Sequence, residues 1–226
     1  MPLSGAAEAS LPRTRIKICG LTREADLDAA VDAGADAVGF VLYARSPRAV
    51  TLERAAVLAA RLPPFVTPVL LFVNPSPQEL RRATEALPQA LLQFHGDETP
   101  AQCAAADRPF LRAVRMEEGV DLLDWAARFP GAQALLIDAP SAGYGGSGKV
   151  FDWSLIPADV PVPVVLSGGL SPANVIDGVL AVRPWAVDVS SGVESAVPGQ
   201  KGLKNATLMR RFCQAVRAAD DRIAVG

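Results

Sequence analysis

The sequence predicts an α/β protein closed into a single eightfold barrel, and three observations carry that prediction. Short β-branched apolar runs alternate with Ala-, Leu- and Arg-rich stretches of helical spacing, the pattern of a parallel sheet covered by helices. Eight such runs fit between residues 15 and 226 with short connections, the economy of a closed barrel rather than an open sheet. The first run is followed by CGLTRE rather than the GxGxxG of a doubly wound dinucleotide binder. The prediction is therefore a single-domain (β/α)8 barrel of the TIM-barrel type over 15–226, preceded by a flexible N-terminal extension over 1–14.

Taken in order, the strands are expected at 15–19, 36–42, 66–73, 90–95, 110–114, 134–138, 163–167 and 186–190. The helical stretches between and after them are 24–34, 52–63, 77–88, 100–108, 120–130, 172–182 and 205–219. In the first of these, Ala25, Leu27, Ala30, Val31 and Ala33 favour one side and Gly34 supplies the stop. Pro77, Pro100 and Pro172 stand at helix starts, where a missing N–H costs little, and Ser76, Thr99 and Ser171 precede them as N-caps. After the sixth strand comes APSAGYGGSGKVFDW, too long for a minimal turn. A long loop in so economical a barrel is a candidate for function.

Composition narrows the function classes. Half the 226 residues are hydrophobic and a fifth are charged, which excludes a disordered chain. Lys plus Arg is 22 against 24 for Asp plus Glu, a net charge of −2, so no global field draws nucleic acid or an anionic membrane. No apolar run approaches the roughly 20 residues of a membrane span, and the N-terminal segment lacks the apolar centre of a secretory signal. Cys19, Cys103 and Cys213 form no CxxC pair and His95 is the only histidine, so no metal site is expected. The reading is a reduced, cytoplasmic protein.

Barrel active sites form at the C-terminal ends of the strands. That rule selects Cys19, the Arg45–Arg48 loop, His95 with Asp97, Arg115, Asp138, Ser167–Gly169 and Ser190–Gly192. SGGL (167–170) and SSGVES (190–195) are adjacent small-residue turns that let a ligand approach backbone N–H groups. Such loops after strands seven and eight commonly cradle phosphate, and Gly145 and Gly146 are candidates to add donors. Hence Ser167, Gly168, Gly169, Ser190, Ser191 and Gly192 are expected to hold a small phosphorylated substrate. Cys103 and Cys213, both within helices, read as core filler. Cys19 ends a strand, where phosphate-binding dipoles or an arginine could lower its thiol pKa and make it a proton acceptor. Asp138, ending strand six, would serve as an acid if it keeps its proton. Arg48 suits bidentate recognition of a carboxylate. His95 fits a structural role and a substrate-contacting role equally well.

Six segments in order complete the pattern: KICGLT (17–22), VLYARSPR (41–48), LQFHGDE (92–98), LLID (135–138) with GGSGKVFDW (145–153), LSGGLSPANV (166–175), and VDVSSGVES with PGQKG (187–202). Together they resemble the phosphoribosylanthranilate isomerase family of tryptophan biosynthesis, from about Lys17 to the final helix. The resemblance implies an Amadori rearrangement with no metal or organic cofactor, in a monomer or weak homodimer. It implies Cys19 as general base, Asp138 as general acid, Arg48 on the anthranilate carboxylate, a phosphate cradle at Gly168, Gly169, Ser191 and Gly192, and Asp188 on a sugar hydroxyl. Gly202 departs from the family by replacing an acidic residue, and is expected to bear on the last helix start rather than on the chemistry. A related barrel that isomerises a histidine-pathway aminoaldose pairs aspartates at the ends of strands one and five, and Cys19 speaks against it. A catalytically silent phosphate-binding barrel would have no chemical need for Cys19, Asp138 and Arg48 together.

Overall fold

Eight parallel strands close on themselves in chain order in a computed structural model that describes residues 13–140 and 150–225. They are β1 (Arg15–Cys19), β2 (Ala37–Val41), β3 (Thr67–Phe72), β4 (Leu91–Phe94), β5 (Phe110–Arg115), β6 (Ala132–Asp138), β7 (Val164–Leu166) and β8 (Ala186–Val189), the last pairing back onto β1. The helices are α1 (Glu24–Asp32), α2 (Leu52–Ala59), α3 (Pro77–Ala86), α4 (Pro100–Ala104), α5 (Leu122–Arg128), α6 (Val175–Val182) and α7 (Ala206–Val225). Among the described residues the β6–β7 connection carries only a 3₁₀ turn, Trp153–Leu155, where every other connection has an α-helix. The sequence-predicted TIM barrel is thus the observed fold.

Strand periodicity sorts the core into two compartments. Alternate residues such as Ile16, Ile18, Val38, Phe40, Leu70, Phe72, Ile137 and Val187 pack outward into one large cluster beneath the helices. The intervening positions point into the barrel, where a smaller cluster gathers Leu111, Ala113, Ala134, Leu136, Val165 and Ala186. Counted in steps of two from these, Lys17, Cys19, Gln93, His95, Asp138, Ser167 and Asp188 fall on the inward face. Side chains at the C-terminal ends of the strands therefore converge at one mouth because the strand period is two.

Local signals set most boundaries. Ser76 and Thr99 each accept from the backbone N–H three residues on, while Glu79 and Gln102 reach back to the N-cap N–H, forming two full capping boxes. Gly34, just past α1, takes φ +89°, as a helix stop requires. Four expectations need correction. The helix expected from Pro172 with Ser171 as cap begins instead at Val175. Asn174 Oδ1 accepts from Ser171 N–H and its amide donates to Gly169 O, holding 171–174 as a turn with Asn174 outside helical geometry. The helix expected over 100–108 ends after Ala104, and the last helix runs on to Val225.

The fourth correction is at the N-terminus. Arg13 and Thr14, assigned to the flexible extension, are tied down. Arg13 pairs with Asp36, and Thr14 donates through its backbone N–H and hydroxyl to Asp220 in α7. The rest of the expected extension lies outside the described residues. No described helix is long and apolar enough to cross a membrane.

Candidate active site

A cavity opens at the C-terminal mouth, where the strand ends and the loops after them meet. Cys19 ends β1 inside it, and its thiol has room because of its neighbour across the β1–β2 ladder. Cys19 pairs with Gly39, and a Cβ at Gly39 would stand 2.6 Å from Sγ. Gly20 then turns the chain away at φ +79°, its own missing side chain making way for Arg48, whose Cδ a Cβ there would meet at 2.5 Å.

Below the thiol sits a buried ion pair. Lys17 and Asp188 are register partners between β1 and β8, and Lys17 Nζ lies 2.7 Å from Asp188 Oδ1, with side chains only 5 % and 6 % exposed. Asp188 Oδ2 also faces Ser167 Oγ at 3.4 Å. Burial works against the Lys17 ammonium, yet Asp188 and the neighbouring thiol outweigh it and hold its pKa above the usual lysine value. For Cys19 the balance runs the other way. Burial pushes its thiol up, Lys17 pulls it down by charge and hydrogen bond, and Asp188 opposes Lys17. The expectation of a thiol lowered toward neutrality by arginine or dipoles is not met, and the cation that acts on the sulfur is a lysine.

Across the mouth, Asp138 ends β6. Its Oδ1 accepts from Ala139 N–H at 2.9 Å and its Oδ2 lies 3.1 Å from His95 Nε2. The amide nitrogen of Gln93, two residues before His95 and on the same face, lies 3.0 Å from Nδ1. With that amide donating, Nδ1 accepts and Nε2 carries the imidazole proton toward Asp138. The other amide atom, Gln93 Oε1, is buried without a hydrogen-bond partner among the described residues. The loop after β4 is braced from outside the barrel. Arg112 of β5 donates to Phe94 O, Gly96 O and Glu98, and Glu98 in turn accepts from Asn74 and Gly96 N–H groups.

Arg48 is buried rather than solvated. Its Nε donates to Glu194 Oε1 at 2.5 Å, and Lys204 Nζ donates to the same oxygen at 3.0 Å. Despite burial, these two cations hold the Glu194 carboxyl below its usual range. Nη2 of Arg48 is buried with no hydrogen-bond partner among the described residues. Gly202 corrects its expected place. Its N–H donates to Glu194 Oε2, and a Cβ there would crowd Pro47 O at 2.8 Å, so it bears on the Arg48 clamp as well as on the chain leading to α7.

The small-residue loops meet as their spacing suggests. Gly168 and Gly169 adopt φ +78° and +66°, and a Cβ on Gly168 would lie 2.2 Å from Ala139 N. Ser190 Oγ donates to Cys19 O at 3.1 Å and accepts from Lys204 Nζ, linking this loop to the base of the thiol. Of the sequence-predicted site residues, Cys19, Arg48, His95, Asp138, Ser167, Gly168, Gly169, Asp188, Ser190 and Ser191 line the one cavity. Gly192 does not line it. It lets the β8 loop sit against the β7 loop, because a Cβ would meet Leu170 O at 1.9 Å. Gly145 and Gly146 lie outside the described residues. Arg45, Asp97 and Arg115 line neighbouring hollows instead. Cys103 and Cys213 are buried under the helices with thiols raised to about 11 by burial.

Sequence reasoning passed over Lys17, Gly39, Gln93, Glu194 and Lys204. Lys17 and Gln93 were readable, since each stands two residues before a chosen strand-end residue and so shares its face. Glu194 and Lys204 could not be read from spacing, because Glu194 meets Arg48 from 146 positions away and Lys204 enters the cluster only through Glu194 and Ser190. Among the described residues no group of three or more His, Cys, Asp or Glu side chains converges as metal ligands.

Comparison with known proteins gives one consistent result. Residues 16–215 match the family model of N-(5′-phosphoribosyl)anthranilate (PRA) isomerase. The N-(5′-phosphoribosyl)anthranilate isomerase of Methylibium petroleiphilum is 70 % identical over 212 residues, covering 94 % of this chain and 98 % of that protein. The isomerase of Leptothrix cholodnii is 70 % identical over 210 residues, covering 93 % and 94 %. Among solved structures, the phosphoribosyl anthranilate isomerase of Thermotoga maritima superposes with a TM-score of 0.81 at 38 % identity over 91 % of this chain and 99 % of its own. Another, at TM-score 0.77 and 35 % identity with the same coverage, was solved in complex with reduced 1-(o-carboxyphenylamino)-1-deoxyribulose 5-phosphate.

Proposed function

The chain belongs to the N-(5′-phosphoribosyl)anthranilate isomerase family, an aldose–ketose isomerase of tryptophan biosynthesis, and from that premise we propose how its residues run the reaction. N-(5′-phosphoribosyl)anthranilate is converted to 1-(o-carboxyphenylamino)-1-deoxyribulose 5-phosphate by an Amadori rearrangement. Asp138 gives a proton to the ribose ring oxygen as the C1′–O bond breaks, leaving an iminium at C1′. That cation acidifies the C2′ proton, which the Cys19 thiolate removes. The enolamine then takes a proton at C1′ and loses its hydroxyl proton to become the ketone. Proton transfers alone complete the sequence, so no metal or organic cofactor enters it.

The observation that carries this reading is the convergence of Cys19 and Asp138, from β1 and β6, on one cavity that also holds two kinds of anion anchor. Gly168, Gly169 and Ser191 suit the phosphate, with Gly192 closing the two loops on each other and Gly145 and Gly146 proposed as further donors. Arg48, with its unpartnered Nη2, suits the anthranilate carboxylate. Asp188 and Ser190, which line the same cavity, suit the sugar hydroxyls. The acid role gives His95 a defined task. A protonated Asp138 can donate to His95 Nε2 only if the imidazole carries its hydrogen on Nδ1. Half a turn of the Gln93 amide supplies the matching acceptor, Oε1, which otherwise has no partner.

The test follows the fluorescence of N-(5′-phosphoribosyl)anthranilate generated in situ. Rapid decay with the wild type should fall by about 10²–10⁴-fold in Cys19→Ala and in Asp138→Asn. No decay with folded wild-type protein would sink the assignment, and decay unchanged in either variant would remove that residue from its role. The isomerase of Thermotoga maritima is described as dimeric. For this chain we propose a cytoplasmic monomer or weak homodimer without nucleic-acid or membrane partners, which light scattering across protein concentrations tests.

A further inference from the structure

We infer that Lys17, clamped by Asp188, is the positioning residue that makes Cys19 available as a thiolate. Three independent observations meet here. Lys17 and Cys19 stand two residues apart on β1, so both project into the barrel. Lys17 is the register partner of Asp188 on β8, and the 2.7 Å contact between two nearly fully buried side chains holds the ammonium inside the barrel, on the face that also carries the Cys19 side chain. On the β2 side the thiol meets Gly39 and apolar Val41, which offer no polar partner for a thiolate.

The surrounding charges leave Lys17 as the group that can do this. Lys204 also favours the thiolate, but it is spent on Glu194 and the Ser190 oxygens. Arg48, packed behind Gly20, donates to Glu194. His95 and Asp138, from β4 and β6, bond to each other across the mouth. Asp188 acts in two opposed ways, holding Lys17 in place while its own negative charge disfavours a second anion nearby. A carboxylate that positions the cation and a cation that stabilises the thiolate give substitutions of opposite sign, which a merely structural pair would not.

This inference rests on the reading of Cys19 as the general base, but its test does not require turnover. The rate of Cys19 alkylation by iodoacetamide is followed against pH by mass spectrometry of the Cys19 peptide, with Cys103 and Cys213 as internal controls. In Lys17→Met the alkylation midpoint should rise by at least about one pH unit, a roughly tenfold slower reaction below the midpoint. In Asp188→Asn it should fall, and in Lys17→Arg it should stay near the wild type. Because Lys17→Met leaves a buried carboxylate unpaired and can compromise folding, Lys17→Met/Asp188→Asn is compared with Asp188→Asn. In that comparison only the cation changes, and the double variant should titrate higher. The acidic limb of the kcat/KM profile should move with the alkylation midpoint.

Equal midpoints in the double variant and Asp188→Asn would overturn the inference, as would a rise in Asp188→Asn alone. Full turnover by Cys19→Ala with the Lys17-dependent shift intact would instead remove the base reading and leave the ion pair's effect on the thiol standing.

Discussion

At position 39 the missing side chain of one glycine decides where the sulfur of Cys19 can lie, since a Cβ there would press on Sγ at 2.6 Å and on the Cys19 backbone at 3.1 Å. Gly39→Ala should therefore keep the barrel but misplace the thiol. Kinetics on folded protein should show kcat/KM reduced by about 10²-fold, the scale of an ångström's misplacement. Arg48→Ala removes a charged donor that the substrate carboxylate would use. KM should rise by about 10-fold or more, with kcat changed less, from the roughly 1.5–3 kcal/mol of a charged hydrogen bond; an unchanged KM would take Arg48 out of the site. The Lys17–Asp188 pair is costly to break one-sidedly, because the survivor is a buried, unpaired charge. Denaturant titration of Lys17→Met should show a loss of about 3–5 kcal/mol, partly restored by adding Asp188→Asn.

At the scale of elements, two helix starts follow directly from local sequence. The two capping boxes at Ser76 and Thr99 are four-residue signals, and both helices start where those signals stand. Ser76→Ala should cost about 1 kcal/mol, seen as a fall in Tm of about 2–4 °C for a chain of this size. Ser171-Pro172 shares the cap-and-proline start but has Asn174 where the capping boxes have Glu79 and Gln102, and it does not open a helix. The difference is Asn174, whose side chain bonds back to Ser171 and to Gly169 O in the β7 loop. That loop packs on the β8 loop through Gly192, so its shape answers to a contact from the next strand unit, which no local window contains.

Closure of the whole barrel depends on contacts between the ends of the chain. Asp36 gathers Arg13, the Ile16 N–H and Arg217 of α7, and Thr14 is held by Asp220, 206 positions away. Although burial opposes it, the hydrogen bond and charge of Arg13, with the Ile16 N–H and Arg217, hold the Asp36 carboxyl below its usual range. A depressed carboxyl contributes stability that is fully present above its unfolded pKa of about 3.9. That stability is lost as the pH falls through the lower folded value. Asp36→Asn should therefore destabilise the protein at neutral pH and flatten the decline of Tm below about pH 4; an unchanged acid limb would show that the cluster does not contribute to acid unfolding.

The amino-acid sequence by itself determined the alternation of strands and helices, the barrel class and the caps at Ser76 and Thr99, because periodicity and capping are properties of a few adjacent residues. It also determined the motifs that tie the chain to its family. The tertiary structure alone decided that Lys17 meets Asp188, that Glu194 holds Arg48, that His95 lies against Asp138, and that Gly192 serves packing rather than lining. Each of these joins residues from different strand units, at separations such as 43 positions for His95–Asp138 and 171 for Lys17–Asp188. Such pairings become neighbours only when parallel strands with long crossovers close into a barrel, and the register of that closure is set by the packing of all eight strands at once.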